Sequence, residues 1–97
     1  MEQRQMGEII ASRTFTVVGG NEQLVVEIGK PQPFPDSGYY CAIRISGVGM
    51  DRVKQVGGLD AAQALQVALH MLKVDLTAIN KRLEKALRWN GETDLGF

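Results

Sequence analysis

The chain holds one cysteine, Cys41, and one histidine, His70. No intramolecular disulfide and no cysteine-rich zinc site can be built from that supply. Charge of one sign is also missing, because 11 basic and 11 acidic residues cancel to a net charge of zero. A general nucleic-acid or membrane-surface binder carries a basic excess, so both classes start weak. No uninterrupted apolar run approaches the roughly 18 residues of a membrane-spanning helix. The polar opening, Met1-Glu2-Gln3-Arg4-Gln5-Met6-Gly7-Glu8, lacks the apolar stretch of a signal peptide, and the expectation is a cytoplasmic protein. Proline is scarce, with all 3 residues in a single stretch at 31–35. What remains is 97 residues, 44% hydrophobic and 23% charged, which is the composition and length of one globular domain over 1–97.

The first two thirds read as strands. Positions 9–18 are rich in β-branched and aromatic residues, with Ile9, Ala11, Phe15 and Val17 on one side and Ser12, Thr14 and Thr16 on the other. Arg13 interrupts the apolar side, which predicts a place near an edge or an end. Gly19-Gly20-Asn21-Glu22 supplies a hairpin turn, and 23–29 returns with Leu24, Val26 and Ile28 inward. Pro31, Pro33 and Pro35 make 30–38 a loop, since proline donates no ladder hydrogen bond. Alternation resumes over 39–46, Gly47-Val48-Gly49 turns the chain, and 52–56 is a short charged strand with Lys54 as an edge marker.

The last third predicts one long helix over about 60–88. Asp60 stands at the N-cap and Gln63 completes a capping box. Leu65, Leu69, Leu72, Leu76, Ile79 and Leu83 form a stripe, with Gly91 as the C-terminal stop before a tail at 91–97. Ala64, Val67, Met71, Val74 and Ala78 make a second apolar strip. A single helix is about 10–12 Å across, whereas four strands span some 15–20 Å. The helix therefore needs help from the chain ends or from a second copy.

Candidate chemistry is thin. Cys41 beside His70 would make a thiol–imidazole pair, but the alternation places Cys41 inward, and His70 falls with Gln63, Gln66 and Lys73 on the polar helix side. The plainer reading is a core thiol. Asp36, Asp51, Asp60 and Asp75 are scattered over separate elements, and Glu92 with Asp94 is a solvated tail, so no metal or other cofactor is expected. Gly57-Gly58 precedes the helix, yet Asp60 at the cap uses the free amides and repels a phosphate. Lys81, Arg82, Lys85 and Arg88 with Trp89 could track a nucleic-acid backbone and stack a base. Helix-end charge complementarity explains the same residues more simply. Surface for a protein partner survives this sorting: Tyr40, Arg44, Thr14 and Thr16 on the open sheet face, and Val67, Met71 and Val74 on the helix.

Three segments carry a resemblance. Ala11-Ser12-Arg13-Thr14-Phe15, the helix start Gly58-Leu59-Asp60-Ala61-Ala62-Gln63-Ala64-Leu65, and the ending Leu87-Arg88-Trp89 with Asp94-Leu95-Gly96-Phe97 resemble a small family of uncharacterised bacterial proteins, a domain of unknown function. The resemblance spans nearly the whole chain and implies the same layout and a bacterial cytoplasmic setting. It transfers no catalytic residue. It also implies that Leu95 and Phe97 fold back onto sheet left bare by the helix.

The sequence thus predicts an α+β domain, a four-stranded antiparallel β-meander with one long C-terminal helix packed on one face (ββββα). The expected function is non-catalytic protein binding, most concretely by a small bacterial immunity-type or adaptor protein that occludes a partner, with a homodimer compatible. The rival is a nucleic-acid-associated regulator using the basic helix end. A Cys41-dependent enzyme comes third.

Overall fold

The computed structural model describes residues 6–97, and the polar opening at 1–5 lies outside them. Strand-forming residues build β1 (Ile9–Val17), β2 (Gln23–Gly29), β3 (Gln32–Pro33), β4 (Tyr39–Gly47) and β5 (Met50–Gly58). The helix α1 (Ala61–Arg82) and a short β6 (Leu87–Arg88) follow. The architecture is α+β, with an antiparallel sheet and one helix. β2 pairs with β1 and β4, and β5 lies on the far side of β4.

Two short strands correct the expected four-stranded meander to a six-stranded sheet. In the proline-rich stretch, Gln32 and Pro33 pair with Tyr40 and Tyr39. Proline is tolerated because this two-residue strand pairs on one side only, so the ring costs no ladder bond on the other. β6 pairs with Thr16 and Val17 at the end of β1. The last long strand is also longer than the predicted 52–56. Val48 and Gly49 close a two-residue turn with φ of 52° and 77°, so the pairing runs from Gly47–Met50 to Tyr39–Gly58.

The helix starts where the sequence puts it. Asp60 Oδ1 accepts the Gln63 N–H at 2.8 Å, and Gln63 Oε1 accepts the Leu59 N–H at 2.6 Å, a reciprocal capping box. It ends six residues before the predicted 88. Glu84 and Lys85 take left-handed φ values of 55° and 61° and turn the chain back. The turn is held by Lys85 N–H to the Asn80 carbonyl (2.7 Å) and by Leu87 N–H to Asn80 Oδ1 (3.0 Å). Residues 83–88 are good helix formers, but Leu87 is driven into the core, where it is fully buried. Gly91 is therefore no helix stop. Asn90 (φ 49°) and Gly91 (φ 79°) form a tight turn between Trp89 and Glu92, whose backbones exchange hydrogen bonds of 3.0 and 2.8 Å.

The buried helix stripe is Ala64, Ala68, Leu72, Leu76 and Ile79, rotated from the leucine stripe the spacing suggests, and Leu69 is exposed. The cause lies at Gly58, which ends β5 against the first helical turn. A Cβ there would lie 2.8 Å from Ala64 Cα. Small residues face each other where backbone meets backbone, and the leucines fill the wider space further along. α1 lies over β4 and β5. The tail covers what the helix leaves bare: Phe97 packs on Phe15 with ring centroids 6.5 Å apart, and Leu95 also joins the core. Phe15 is fully buried, a burial worth about 1.5–3 kcal/mol.

Candidate functional site

The face of the sheet turned away from α1 is built by alternation. Register sets Arg44 opposite Glu27 on β2 and Val53 on β5, and Ser46 opposite Asp51. Ser12, Thr14 and Thr16 continue this row onto β1, all of them exposed. Tyr40 stacks on Phe34 with centroids 5.0 Å apart. The structure thus brings Tyr40, Arg44, Thr14 and Thr16 onto one face. Arg44 is already engaged there: Nε and Nη2 hold Asp51 at 2.9 and 2.8 Å, and Nη1 lies 3.7 Å from Glu27. The hydrogen bond from Arg44 lowers the Asp51 pKa, and the same bond raises that of Arg44. Phe34 covers the Tyr40 end of this face, where Ala42 is 1% exposed, whereas Thr14 and Thr16 at the β1 end are exposed.

The same sheet leaves much of the edge of β1 open. Val17 N–H donates to Glu22 on the β2 side (3.3 Å), and Val18 N–H donates to Ala86 on the β6 side (2.8 Å). Backbone groups alternate along a strand, so Ser12 and Thr14 turn their N–H and C=O away from β2. β6 reaches only Thr16 and Val17. Among the described residues, Ser12 and Thr14 therefore have no strand partner on that side. Ile9 and Ile10 are 43% and 47% exposed beside them. The opposite edge, β5, is protected differently: Arg52 and Lys54 point toward the helix side, and Lys54 Nζ bonds Asp75 Oδ2 at 2.7 Å. Inward-pointing charge is a common device against edge pairing; on β1 such a charge is Arg13, whose guanidinium is taken up by Trp89 and the Leu95 carbonyl, and Ile9 and Ile10 at the start of the strand are apolar.

The helix candidates do not form one exposed strip. Met71 packs on the core and Val67 is half-buried, while Val74 is exposed. The basic set is also divided. Lys81 and Arg82 end the helix, Lys85 sits in the reversing turn, and Arg88 in β6 bonds the Lys85 and Leu87 carbonyls at 2.7 and 2.8 Å. Trp89 is occupied by Arg13, whose guanidinium carbon lies 3.9 Å from its ring centroid and 4.6 Å from that of Phe97. Arg13 Nη1 also donates to the Leu95 carbonyl at 3.0 Å. The predicted interruption of the apolar side of β1 is thus the post on which the tail is fastened.

Cys41 is fully buried and its Sγ donates to the Gly29 carbonyl at 3.3 Å. Burial raises its pKa, which disfavours the thiolate. His70 is exposed on the helix. Among the described residues, no three His, Cys, Asp or Glu side chains gather to hold a metal ion, and no helix is long and apolar enough to cross a membrane.

Ile10 carried no signal in the sequence, while Val48 was assigned to a turn and Arg52 to a short charged strand, neither of them joined to the end of the helix. Val48, Met50, Arg52, Ile79, Arg82 and Leu83 line a groove of about 460 Å³ between the β4–β5 turn and the end of α1. Period-two alternation places Met50 and Arg52 on the helix side, but only the early helix stop brings Arg82 and Leu83 to the same place.

The search of curated proteins and the search of solved structures returned no match. A family model described as a domain of unknown function, DUF6968, matches residues 11–97, and the chain belongs to that family.

Proposed function

We propose that the protein is a non-catalytic binding module that takes an extended segment of a protein partner along the open edge of β1. The observation that carries this is the outward row of backbone groups at Ser12 and Thr14, flanked by exposed Ile9 and Ile10. Strand addition supplies main-chain hydrogen bonds for affinity, and alternate side chains add specificity. Thr14, Thr16, Arg44 and Tyr40 on the adjoining face would contact whatever follows the added strand. On this reading the protein is a bacterial cytosolic adaptor or immunity-type protein that acts by occluding its partner.

Capture of partners from bacterial cytosol by the tagged protein, repeated with Ser12→Pro and Thr14→Pro, tests the reading. Each proline removes an outward N–H and no bond to β2. The expected result is one salt-resistant protein partner, lost from both variants while the circular dichroism spectrum is kept. A partner retained by both folded variants would refute edge binding. Nucleic acid recovered and then lost at high salt would point to Lys81, Arg82 and Lys85 instead.

A further inference from the structure

We propose that the groove between the β4–β5 turn and the end of α1 binds an aliphatic carboxylate, a free medium-chain acid whose head sits between Arg52 and Arg82. The site is independent of the β1 edge. Its walls are Val48, Met50, Ile79 and Leu83, and its volume of about 460 Å³ falls within the range of small-ligand pockets. Both of its charged linings are arginines, and no carboxylate lines it.

Their neighbours show what these two cations lack. Lys54, two residues along β5, is paired with Asp75, and Arg44 is paired with Asp51. Among the described residues neither Arg52 nor Arg82 has an acidic partner, and the one side-chain bond of Arg52 is a weak contact to Met50 Sδ at 3.8 Å. A guanidinium beside an apolar wall matches a carboxylate on an aliphatic body, because the planar fork takes both oxygens. The negative end of α1 opposes an anion here, but only as about half a charge. Its last carbonyls are also engaged, since Ile79 and Lys81 accept from Leu83 and Glu84 at 3.0 and 3.2 Å. Two exposed full positive charges stand against that half charge.

The lining favours a small molecule over a peptide. Met50 and Arg52 face Gly47 and Ile45 across the ladder, so the groove offers side chains rather than a free backbone row. Val48 adds a second argument. A β-branched residue at φ 52° is strained where Asn or Gly would be relaxed. Its side chain supplies an apolar wall of the groove, which neither substitute would provide.

The test is a titration of the full chain with octanoate, followed by amide NMR at Val48–Met50 and Leu83. Saturable shifts are expected, with octanamide roughly tenfold weaker and Arg52→Gln and Arg82→Gln each weakening octanoate roughly tenfold at unchanged melting temperature. Val48→Asn should weaken octanoate too while keeping or raising the melting temperature. The proposal is overturned by any of three results: no saturable shift up to about 10 mM, equal binding of octanamide, or wild-type affinity in both arginine variants. Tighter binding of an acetylated Leu-Asp peptide than of octanoate would overturn the small-molecule assignment. Partner capture through β1 is read separately, so the two proposals fail independently.

Discussion

Replacing Arg13 by alanine should detach the tail from the sheet. Arg13 makes three contacts that alanine cannot: stacking at 3.9 Å on Trp89, stacking at 4.6 Å on Phe97, and a 3.0 Å hydrogen bond to the Leu95 carbonyl. A cation over a partly exposed ring is worth about 0.5–1 kcal/mol, and a hydrogen bond from a charged donor about 1.5 kcal/mol. The expected loss is about 2–3 kcal/mol, a large share of the roughly 5–15 kcal/mol that holds a domain together. For a domain of this size the melting temperature should fall by roughly 10–20 °C. Trp89 is the only tryptophan, so its emission reports the clamp directly while urea unfolding followed by circular dichroism gives the stability. Arg13→Lys keeps the charge but not the flat stacking surface, and should lose about half as much. If Arg13→Ala melts within about 2 °C of the wild type and leaves the native Trp89 emission unchanged, the clamp does not fasten the tail.

Gly58→Ala should cost about 1–3 kcal/mol by pushing α1 off β5, because the new methyl would meet the backbone of Gln63 and Ala64; an unchanged urea midpoint would contradict that close approach. Asp75→Asn should cost about 1–2 kcal/mol, since the Asp75 side chain is only 13% exposed and Lys54 would lose its charged partner. A double-mutant cycle with Lys54→Met isolates the pair, and zero coupling would dismiss it. In a pH titration, the Asp51 carboxyl should protonate below the ordinary carboxylate range, because Arg44 lowers its folded-state value. The stabilising effect of this pair is present above the unfolded value and disappears as pH falls through the folded one. Arg44→Gln should move the midpoint upward, and an unmoved midpoint would show that Arg44 is not the cause. Thiol labelling of native Cys41 at neutral pH should be slow and accelerate with urea, as expected for a buried, pKa-raised group; labelling at the unfolded rate in native buffer would refute its burial.

Local patterns were legible and tertiary ones were not. The long strands followed from alternation, as with Leu24, Val26 and Ile28, and the start of α1 from the Asp60–Gln63 spacing. The end of α1 was hidden because Leu83, Glu84, Lys85 and Ala86 all favour helix. Only burial of Leu87 beside β1 explains the reversal, and burial is not written in propensity. β3 was hidden by Pro33, whose missing donor is harmless in a strand paired on one side. The helix stripe was misplaced for a related reason: hydrophobicity pointed to Leu65 and Leu69, while the close approach at Gly58 selected the smaller Ala64 and Ala68. At the surface, the sheet residues were found by alternation, but the groove was not. Its two arginines are 30 positions apart, and no periodicity links 52 with 82.

The clamp also imposes an order on synthesis of the chain. Arg13 and Leu95 are separated by 82 positions, and β1 meets β6 over a similar span. While the ribosome is still making the helix, Phe15 has neither Phe97 nor Leu87 to cover it. The β1–β2 hairpin can form early, but Phe15 stays uncovered until residues 87–97 have been made. A contact of such long range slows folding and keeps an apolar strand edge in reach of other nascent chains. Residues 87–97 fasten onto β1, and a chain cut before residue 87 should expose Phe15 and aggregate more readily than the full chain.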